Sequence, residues 1–168
     1  GRIYEGDFLN GNRTGKGKMT YPNGDIYEGN FLNSKRHGKG KMTYPDGHIY
    51  EGDFLNEIYQ DGKGKMTYLD GRIYEGDFLN GNRTGKGKLT YPSGDIYKGY
   101  FLNDKQSGKG KITYLDGRIY EVEFLNDIKI GKGKLTCLNG DIYEEESNGH
   151  LIRKWKYPDN KTCTDNLI

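Results

Sequence analysis

Lysines in repeated Gly-Lys-Gly-Lys motifs are the first candidates for chemistry in this chain, because glycines followed by lysine also occur in phosphate-binding loops. The motif begins at Gly15, and close copies of it recur along the sequence. A phosphate-binding loop requires a longer glycine spacing, a Ser or Thr after the lysine, and a helix that follows. Here an apolar residue follows, and the glycines fall within predicted strands. The motif therefore does not predict a nucleotide site.

Histidines and clustered acids are the other residue types that a catalytic or metal site would use. His37, His48 and His150 have no further ligands at the spacing of a metal site. An enzyme also needs a few unlike groups that converge, whereas a regular repeat spreads like groups in rows. We predict no catalytic residue, no metal site and no cofactor.

The charge balance is nearly even, with 26 basic and 24 acidic residues and a formal net charge of +2. A field this weak does not attract nucleic acid or a membrane strongly. Rings and lysines do alternate along the sequence, but alternate side chains of a strand lie on opposite faces. The stacking of single-stranded nucleic acid needs rings and lysines on one face, so we predict no nucleic-acid partner.

The composition predicts a core that is mainly aromatic. Only 32% of the residues are hydrophobic, yet the chain has 15 Tyr and 6 Phe, and disordered segments are usually poor in rings. No apolar run approaches the roughly 18 residues of a transmembrane helix. Cys137 and Cys163 could form one bridge, but they do not make a disulfide framework. We expect a cytoplasmic protein, with a membrane or the cytoskeleton as a further possible location.

The sequence repeats itself with a period of 23 residues, once 24. Residues 1–18 recur identically at 71–88, which indicates a duplicated block of three repeats. The extra residue lies in the segment 56–62, where a loop tip can absorb it. We predict a repeat array over 1–146, with a degenerate last repeat, and a C-terminal cap or transition segment over 147–168. The repeats start at Gly1, Gly24, Gly47, Gly71, Gly94 and Gly117, and the degenerate one at Gly140.

Each repeat reads as two antiparallel strands joined by turns. In "YPNGDIYEGNF", Pro22 and Asn23 suit the centre of a type I turn and Gly24 suits the left-handed position of a three-residue hairpin loop. A second, more variable turn lies between "FLN" and "GKGK". The chain is predicted to be all-β: an elongated, twisted single-layer antiparallel sheet of tandem hairpins, open and solenoid-like.

The turn sets a register that separates two faces. Met19 and Gly17 share a face with Tyr27 and Gly29, so rings are predicted to lie over glycines. The opposite face carries charge pairs worth about 0.2–1 kcal/mol each. The predicted pairs are Lys18–Glu28, Lys41–Glu51, Lys65–Glu75, Lys111–Glu121 and Lys134–Glu144, with Lys88 opposite Lys98 as the exception.

The pattern Gly-x-x-Tyr-x-Gly-x-Phe followed by Gly-x-Gly resembles the membrane occupation and recognition nexus (MORN) repeat. The stretch "GDIYEGNFLNSKRHGKGKMTYPD" from Gly24 to Asp46 matches it most fully, whereas Val122 replaces a glycine of the pattern. The resemblance covers about residues 1–146. It implies a single-layer sheet of hairpins with an aromatic groove that can hold a partner segment, in a scaffold, a dimerisation module or a part of a membrane-associated or cytoskeletal assembly.

A partner segment, extended or helical, is therefore expected in a groove lined by two rows of rings, although most of these rings must also form the core. A homodimer through the sheet ends is compatible with this role. The predicted partner-binding residues are Tyr27, Phe31, Tyr50, Phe54, Tyr74, Phe78, Tyr97, Phe101, Tyr120 and Phe124.

Two alternatives stay open. The chain could be a membrane-surface adaptor that binds anionic phospholipids through basic residues at the hairpin tips and near the C-terminus. It could also be the regulatory repeat region of a larger enzyme, because members of the resembled family carry a phosphoinositide kinase or a lysine methyltransferase domain. The predicted lipid-binding residues are Lys35, Arg36, Lys105, Arg153, Lys154 and Lys156.

Overall fold

In the computed structural model of the chain, residues 1–55, 62–148 and 152–156 are described, with 147–148 and 152–156 described by their backbone alone. The chain divides into a first unit, Gly1–Gly85, and a second unit, Lys86–Ile168. The predicted loop tip at 56–62 lies outside the described residues, apart from Gly62.

Strands account for most of the described residues in both units. The first unit contains β1 (Ile3–Leu9), β2 (Asn12–Thr20), β3 (Ile26–Leu32), β4 (Lys35–Thr43), β5 (Ile49–Phe54), β6 (Gly62–Thr67) and β7 (Ile73–Leu79). Strand β8 (Asn82–Thr90) contains the division between the units. The second unit contains β9 (Ile96–Leu102), β10 (Lys105–Thr113), β11 (Ile119–Leu125), β12 (Ile128–Thr136), β13 (Ile142–Asn148) and β14 (Ile152–Lys156).

Hydrogen bonds join the strands in chain order, from β1 to β14, in one open sheet. Pairing is antiparallel for each register that is described, as in β2 with β3 and β10 with β11. Where a two- or three-residue turn joins two strands, the order follows from it, because so short a connection leaves the next strand no other neighbour. Strands β5 and β6 also pair, although the segment between them is longer. The predicted all-β fold of tandem hairpins in one open sheet is confirmed.

The three-residue turn has the predicted geometry. Tyr21 N donates to Asp25 O at 2.9 Å, Gly24 N donates to Tyr21 O at 2.9 Å, and Gly24 has φ +91°. The same bonds form where Leu replaces Pro, since Gly71 N donates to Tyr68 O at 2.9 Å. The left-handed glycine is the feature that every copy needs, whereas proline only pre-sets the preceding φ angle.

The more variable turn is a two-residue loop in which both central residues have positive φ. Asn33 has φ 48° and Ser34 has φ 65°, between Leu32 and Lys35, which are paired. These angles are those of a type I′ turn, whose backbone twist matches the twist of the flanking strands. Asn and Asp tolerate this region because their short polar side chains bond locally.

In two of the repeats, this two-residue turn is also hydrogen-bonded to the repeat before it. Ser34 N donates to Arg13 O at 3.0 Å, and Arg13 N donates to Ser34 Oγ at 3.1 Å. In the second unit, Asp127 N donates to Gln106 O at 3.1 Å and Gln106 N donates to Asp127 Oδ1 at 2.8 Å. Neighbouring hairpins are therefore linked by more than the strand ladder.

The register places rings on one face and oppositely charged residues across from each other on the other face, as predicted. Met19 lies opposite Tyr27 and Gly17 lies opposite Gly29, while Lys18 lies opposite Glu28. The other four predicted Lys–Glu positions are also paired in the described registers. The predicted position of Lys88 opposite Lys98 is not among these registers and stays a prediction.

The last repeat keeps the strand pairing although its sequence departs from the pattern. Backbone pairs join β13 to both β12 and β14. Cys137 is buried and disulfide-bonded, and Cys163 lies outside the described residues.

Candidate partner-binding surface

The ten rings predicted to bind a partner form the core of the protein. Each is at most 4% exposed. The tyrosine is the second residue of its strand and the phenylalanine the sixth, so both side chains leave the same face. The structure therefore brings them together in rows, but as a buried layer rather than as an open surface, and their contact with a partner stays a prediction.

Glycines on the same face make room for the tyrosine rings. A Cβ built on Gly29 would lie 2.5 Å from the Tyr27 hydroxyl, and a Cβ on Gly40 would lie 2.5 Å from Tyr27 Cε2. Tyr50 has the same relation to Gly52 and Gly64, at closest distances of 2.5 Å or less. The predicted packing of rings over glycines is confirmed, and it explains why a poor strand former recurs inside the strands.

Edge-to-face contacts connect the rings of successive repeats. The Tyr27 centroid lies 5.2 Å from that of Phe31 in its own strand and 4.8 Å from that of Phe54 in the next repeat. The Tyr27 hydroxyl donates to Asn30 O at 2.9 Å. Burial raises the pKa of Tyr27 to about 12, although the nearby Arg36 opposes this shift. The polar end of the ring is thus bonded while its body fills the core.

Arg36 covers these rings instead of facing solvent, and its predicted contact with a lipid stays a prediction. It lies opposite Phe31 in the strand pair and is 5% exposed. Its guanidinium carbon lies 5.7 Å from the centroids of Tyr21, Tyr27 and Phe54. Its register position directs it to the ring face, where cation–π contact stabilises it.

Of the other predicted lipid-binding residues, two are exposed and three lie in a strand described by its backbone alone. Lys35 and Lys105 are exposed, each beside a two-residue turn. Arg153, Lys154 and Lys156 belong to β14, whose side chains lie outside those that are described. No helix among the described residues has the length and apolar character that crossing a membrane would require.

The second unit has the same ring layer with local substitutions. Gln106 takes the position of Arg36, is buried, and its Nε2 donates to the Tyr91 hydroxyl at 3.2 Å. Val122, which breaks the glycine pattern, is also buried and lies opposite Gly110. The larger side chain is thus accommodated beside a remaining glycine.

A buried carboxylate replaces the glycine of the last repeat. Glu145 is buried, and the Tyr120 hydroxyl donates to its Oε1. Burial, and then this bond with Glu145, raises the pKa of Tyr120. In earlier repeats the equivalent hydroxyl donates to a backbone carbonyl, as that of Tyr27 does. Near the end of the array a side-chain carboxylate takes the place of that carbonyl.

Part of the exposed apolar surface is a row of leucines on the face opposite the rings. Each follows the phenylalanine of its strand, and the exposed fractions range from 48% to 63%. Sequence reasoning missed this leucine row, although the recurring "FLN" placed a leucine at each outward position. The row consists of Leu9, Leu32, Leu55 and Leu79 in the first unit, and of Leu102 and Leu125 in the second.

The described residues contain no group of three or more metal-ligating side chains. His48 Nδ1 lies 3.4 Å from Asp46 Oδ2 in an exposed turn, and His37 is half-buried. His150 lies outside the described residues.

A family model with the description "MORN repeat" matches the chain in six consecutive segments. The segments are residues 4–26, 27–49, 50–71, 74–96, 97–117 and 120–142. A search among curated proteins finds no match.

Solved structures with a similar fold include TCP domains from Danio rerio and Drosophila melanogaster. The TCP10 domain of Danio rerio CPAP is 15% identical, with 85% of this chain and 68% of that chain covered and a TM-score of 0.51. The TCP domain of Drosophila melanogaster SAS-4 (dCPAP), solved in complex with a proline-rich motif of Ana2 (dSTIL), is 19% identical, with coverages of 83% and 84% and a TM-score of 0.48. At such identities the first likeness shows a shared fold.

Proposed function

Because the chain belongs to the MORN repeat family, we propose that it is a non-catalytic scaffold whose sheet binds a segment of a protein partner. The observation that carries this proposal is the leucine row of the first unit. Leucines of this row stay about half exposed in successive repeats of a chain with nearly even charge and low mean hydropathy. A regular exposed apolar row is typical of an interaction surface.

The spacing of the row indicates the form of the partner. Leu9 and Leu32 belong to strands that are two apart, so they lie about 9.6 Å from each other at the usual strand spacing. Seven residues of an α-helix span about 10.5 Å. An amphipathic helix with apolar residues at i and i+7, lying across the strands, therefore matches the row.

Charged residues flank the row on the same face. Lys35 lies directly opposite Leu32 and is exposed. An acidic residue on the polar side of the partner helix would pair with this lysine and fix the direction in which the helix lies. The ring layer behind the row supports the strands, and contact of the ten rings themselves with a partner would require the cover of Arg36 to move.

One experiment identifies both the partner and the face of the sheet that binds it. A photo-crosslinking amino acid is placed at Leu32, at Tyr21 on the ring face, or at Asn23 in an exposed turn, and the crosslinked proteins are identified by mass spectrometry. The partner is then purified and its affinity is measured for the wild type and for Leu32→Ser with Leu79→Ser. We expect crosslinks at Leu32 and an affinity loss of at least about tenfold, equivalent to about 1.4 kcal/mol.

Several outcomes would contradict this proposal. Crosslinks from Tyr21 alone would place the partner on the ring face, and crosslinks to a second copy of the chain would make the surface a dimer interface. Flotation with anionic vesicles at low salt, lost at physiological salt, together with no protein crosslink, would favour the lipid alternative. The same assay applies if these repeats are the regulatory region of a longer enzyme.

A further inference from the structure

Strand β9 departs from the other repeats at two positions on the face opposite the rings. Lys98 stands where the other repeats have glutamate, and Tyr100 stands where they have a carboxylate or an asparagine. The equivalents of Lys98 are Glu5, Glu28, Glu51, Glu75, Glu121 and Glu144. The equivalents of Tyr100 are Asp7, Asn30, Asp53, Asp77, Glu123 and Glu146.

These two changes concentrate positive charge in the second unit. Lys98 lies directly opposite Lys111 of β10, an arrangement that costs stability because like charges repel across a strand pair. Lys86 of β8 lies with its Nζ 5.7 Å from the centroid of the Tyr100 ring. In the first unit the lysine at the equivalent position faces a glutamate instead. Lys18 Nζ lies 3.6 Å from Glu28 Oε1, so its positive charge is neutralised.

A cavity of about 540 Å³ lies beside Lys98 and Lys111 of this cluster. Its charged lining is four lysines and two glutamates, a formal charge of +2, and the lining includes Lys98, Lys109, Lys111, Lys132, Glu121 and Glu123. Within the part of the chain that is described, no ion pair engages Lys98, Lys109 or Lys111. All three are exposed, and Tyr100 is 47% exposed. The cluster can therefore receive an anion without first breaking an ion pair.

We propose that Lys98, Tyr100, Lys109 and Lys111, here called the lysine site, bind an acidic protein segment in an extended conformation. This site goes beyond the proposed function, because it uses other side chains than the leucine row of the first unit. It also corrects the expectation that rings and lysines occupy opposite faces throughout, since Tyr100 shares the face of the lysines.

The geometry matches carboxylates two residues apart. Lys109 and Lys111 are separated by one residue of β10, so their Cα atoms are about 6.8 Å apart on one face. An extended peptide presents side chains i and i+2 at the same interval. The carboxylates of two acidic residues of the segment would pair with Lys109 and Lys111, and the rest of the segment would contact the Tyr100 ring.

The two glutamates favour a peptide over a polyphosphate chain or an anionic membrane. Glu121 lies opposite Lys111 and Glu123 lies opposite Lys109, so negative groups line one side of the site. A nucleic-acid backbone or a lipid headgroup layer carries negative charge without interruption and would be repelled there. A peptide can place a neutral or basic residue against the glutamates.

The test uses the whole chain and a short labelled peptide in which glutamate alternates with threonine and leucine. Binding is followed by fluorescence anisotropy at low and at physiological salt, and a peptide with glutamine in place of glutamate is the control. We expect binding of the acidic peptide that weakens as salt rises. Lys98→Glu with Tyr100→Asp gives β9 the residue types of other repeats, and it should weaken binding at least about tenfold while leaving the fold intact.

Three further variants separate a specific site from general attraction. Lys98→Glu alone should weaken binding of the acidic peptide. Lys16→Glu makes the same charge change as Lys98→Glu but outside the site, and it should alter the affinity by less than about twofold. Glu28→Lys with Asn30→Tyr transfers the β9 residues to β3, where Lys18 and Lys41 lie opposite position 28, and should create a second binding site.

Three outcomes would overturn this proposal. Equal losses in Lys98→Glu and Lys16→Glu would show non-specific attraction. Equal binding of the glutamine peptide would remove the role of the carboxylates. Tighter binding of a single-stranded oligonucleotide or of anionic vesicles, sensitive to Lys98→Glu, would assign the site to another class of ligand. None of these results depends on the leucine row, which Lys98→Glu leaves unchanged.

Discussion

The ring of Tyr27 lies over Gly40 of the neighbouring strand, so closely that a Cβ on Gly40 would stand 2.5 Å from Tyr27 Cε2. Each such glycine is therefore as much a part of the core as the ring above it. The sheet has no second layer on this face among the described elements, so the rings bury themselves against backbone.

Gly40→Ala should destabilise the protein by about 2–3 kcal/mol, because the buried Tyr27 ring must shift to admit the methyl group. The change is measured as the free energy of unfolding in urea, with far-UV circular dichroism as the signal. Because backbone φ at Gly40 is not in the left-handed region, the loss of stability should come from the clash of the methyl group with the ring and not from backbone strain.

Gly38→Ala is the matched control in the same strand. Gly38 has φ +68°, and a Cβ there would meet nothing closer than Asn30 Nδ2 at 3.5 Å. This variant should lose about 1 kcal/mol from backbone strain alone. Equal or greater loss in Gly38→Ala than in Gly40→Ala would refute the steric account of the ring layer.

Arg36→Ala should destabilise the first unit by about 2 kcal/mol, because three rings lose their cover and a cation–π contact. Lys35→Ala, one residue away at an exposed position, should change the free energy of unfolding by less than about 0.5 kcal/mol. Urea unfolding of both variants provides the comparison. Similar small effects in the two would mean that Arg36 does not serve as cover for the rings.

Alkaline pH should unfold the protein through its buried tyrosines. Burial raises the pKa of Tyr27 and of Tyr97 from 10.0 to about 12. The unfolded state releases these protons first, so the stabilisation is complete below pH 10 and is lost as pH rises from 10 toward 12. We expect the free energy of unfolding to fall over this interval.

Tyr27→Phe provides the check on this assignment. It removes one titrating group and should make the fall in stability above pH 10 less steep, at the cost of the hydroxyl's bond to Asn30. Urea titrations at a series of pH values measure the slope. An unchanged slope would show that Tyr27 does not contribute to the alkaline transition.

Much of the fold could be predicted from the repeat because its signals are local. The left-handed glycine in "YPNG" fixes the turn at Gly24, and the turn fixes the register that sets Lys18 against Glu28. The alternation of a strand then assigns every following side chain to a face. Strand order followed as well wherever a turn of two or three residues joins neighbouring strands.

The surface was harder to predict because burial depends on neighbours that are distant in sequence. Arg36 and Lys35 are adjacent basic residues, yet one covers three rings and the other faces solvent. Nothing in the composition separates them without the pairing of Arg36 with Phe31. The ten rings likewise form the core because each is packed against glycines and rings of other strands.

The sequence by itself thus determined the hairpins, the register and the division into a ring face and a charged face, because turn chemistry and the alternation of strands act over a few residues. Only the tertiary structure decided which rings are buried, that Arg36 lies over them, and that Lys98 faces Lys111. These outcomes arise from contacts between repeats, where side chains some twenty residues apart compete for one space.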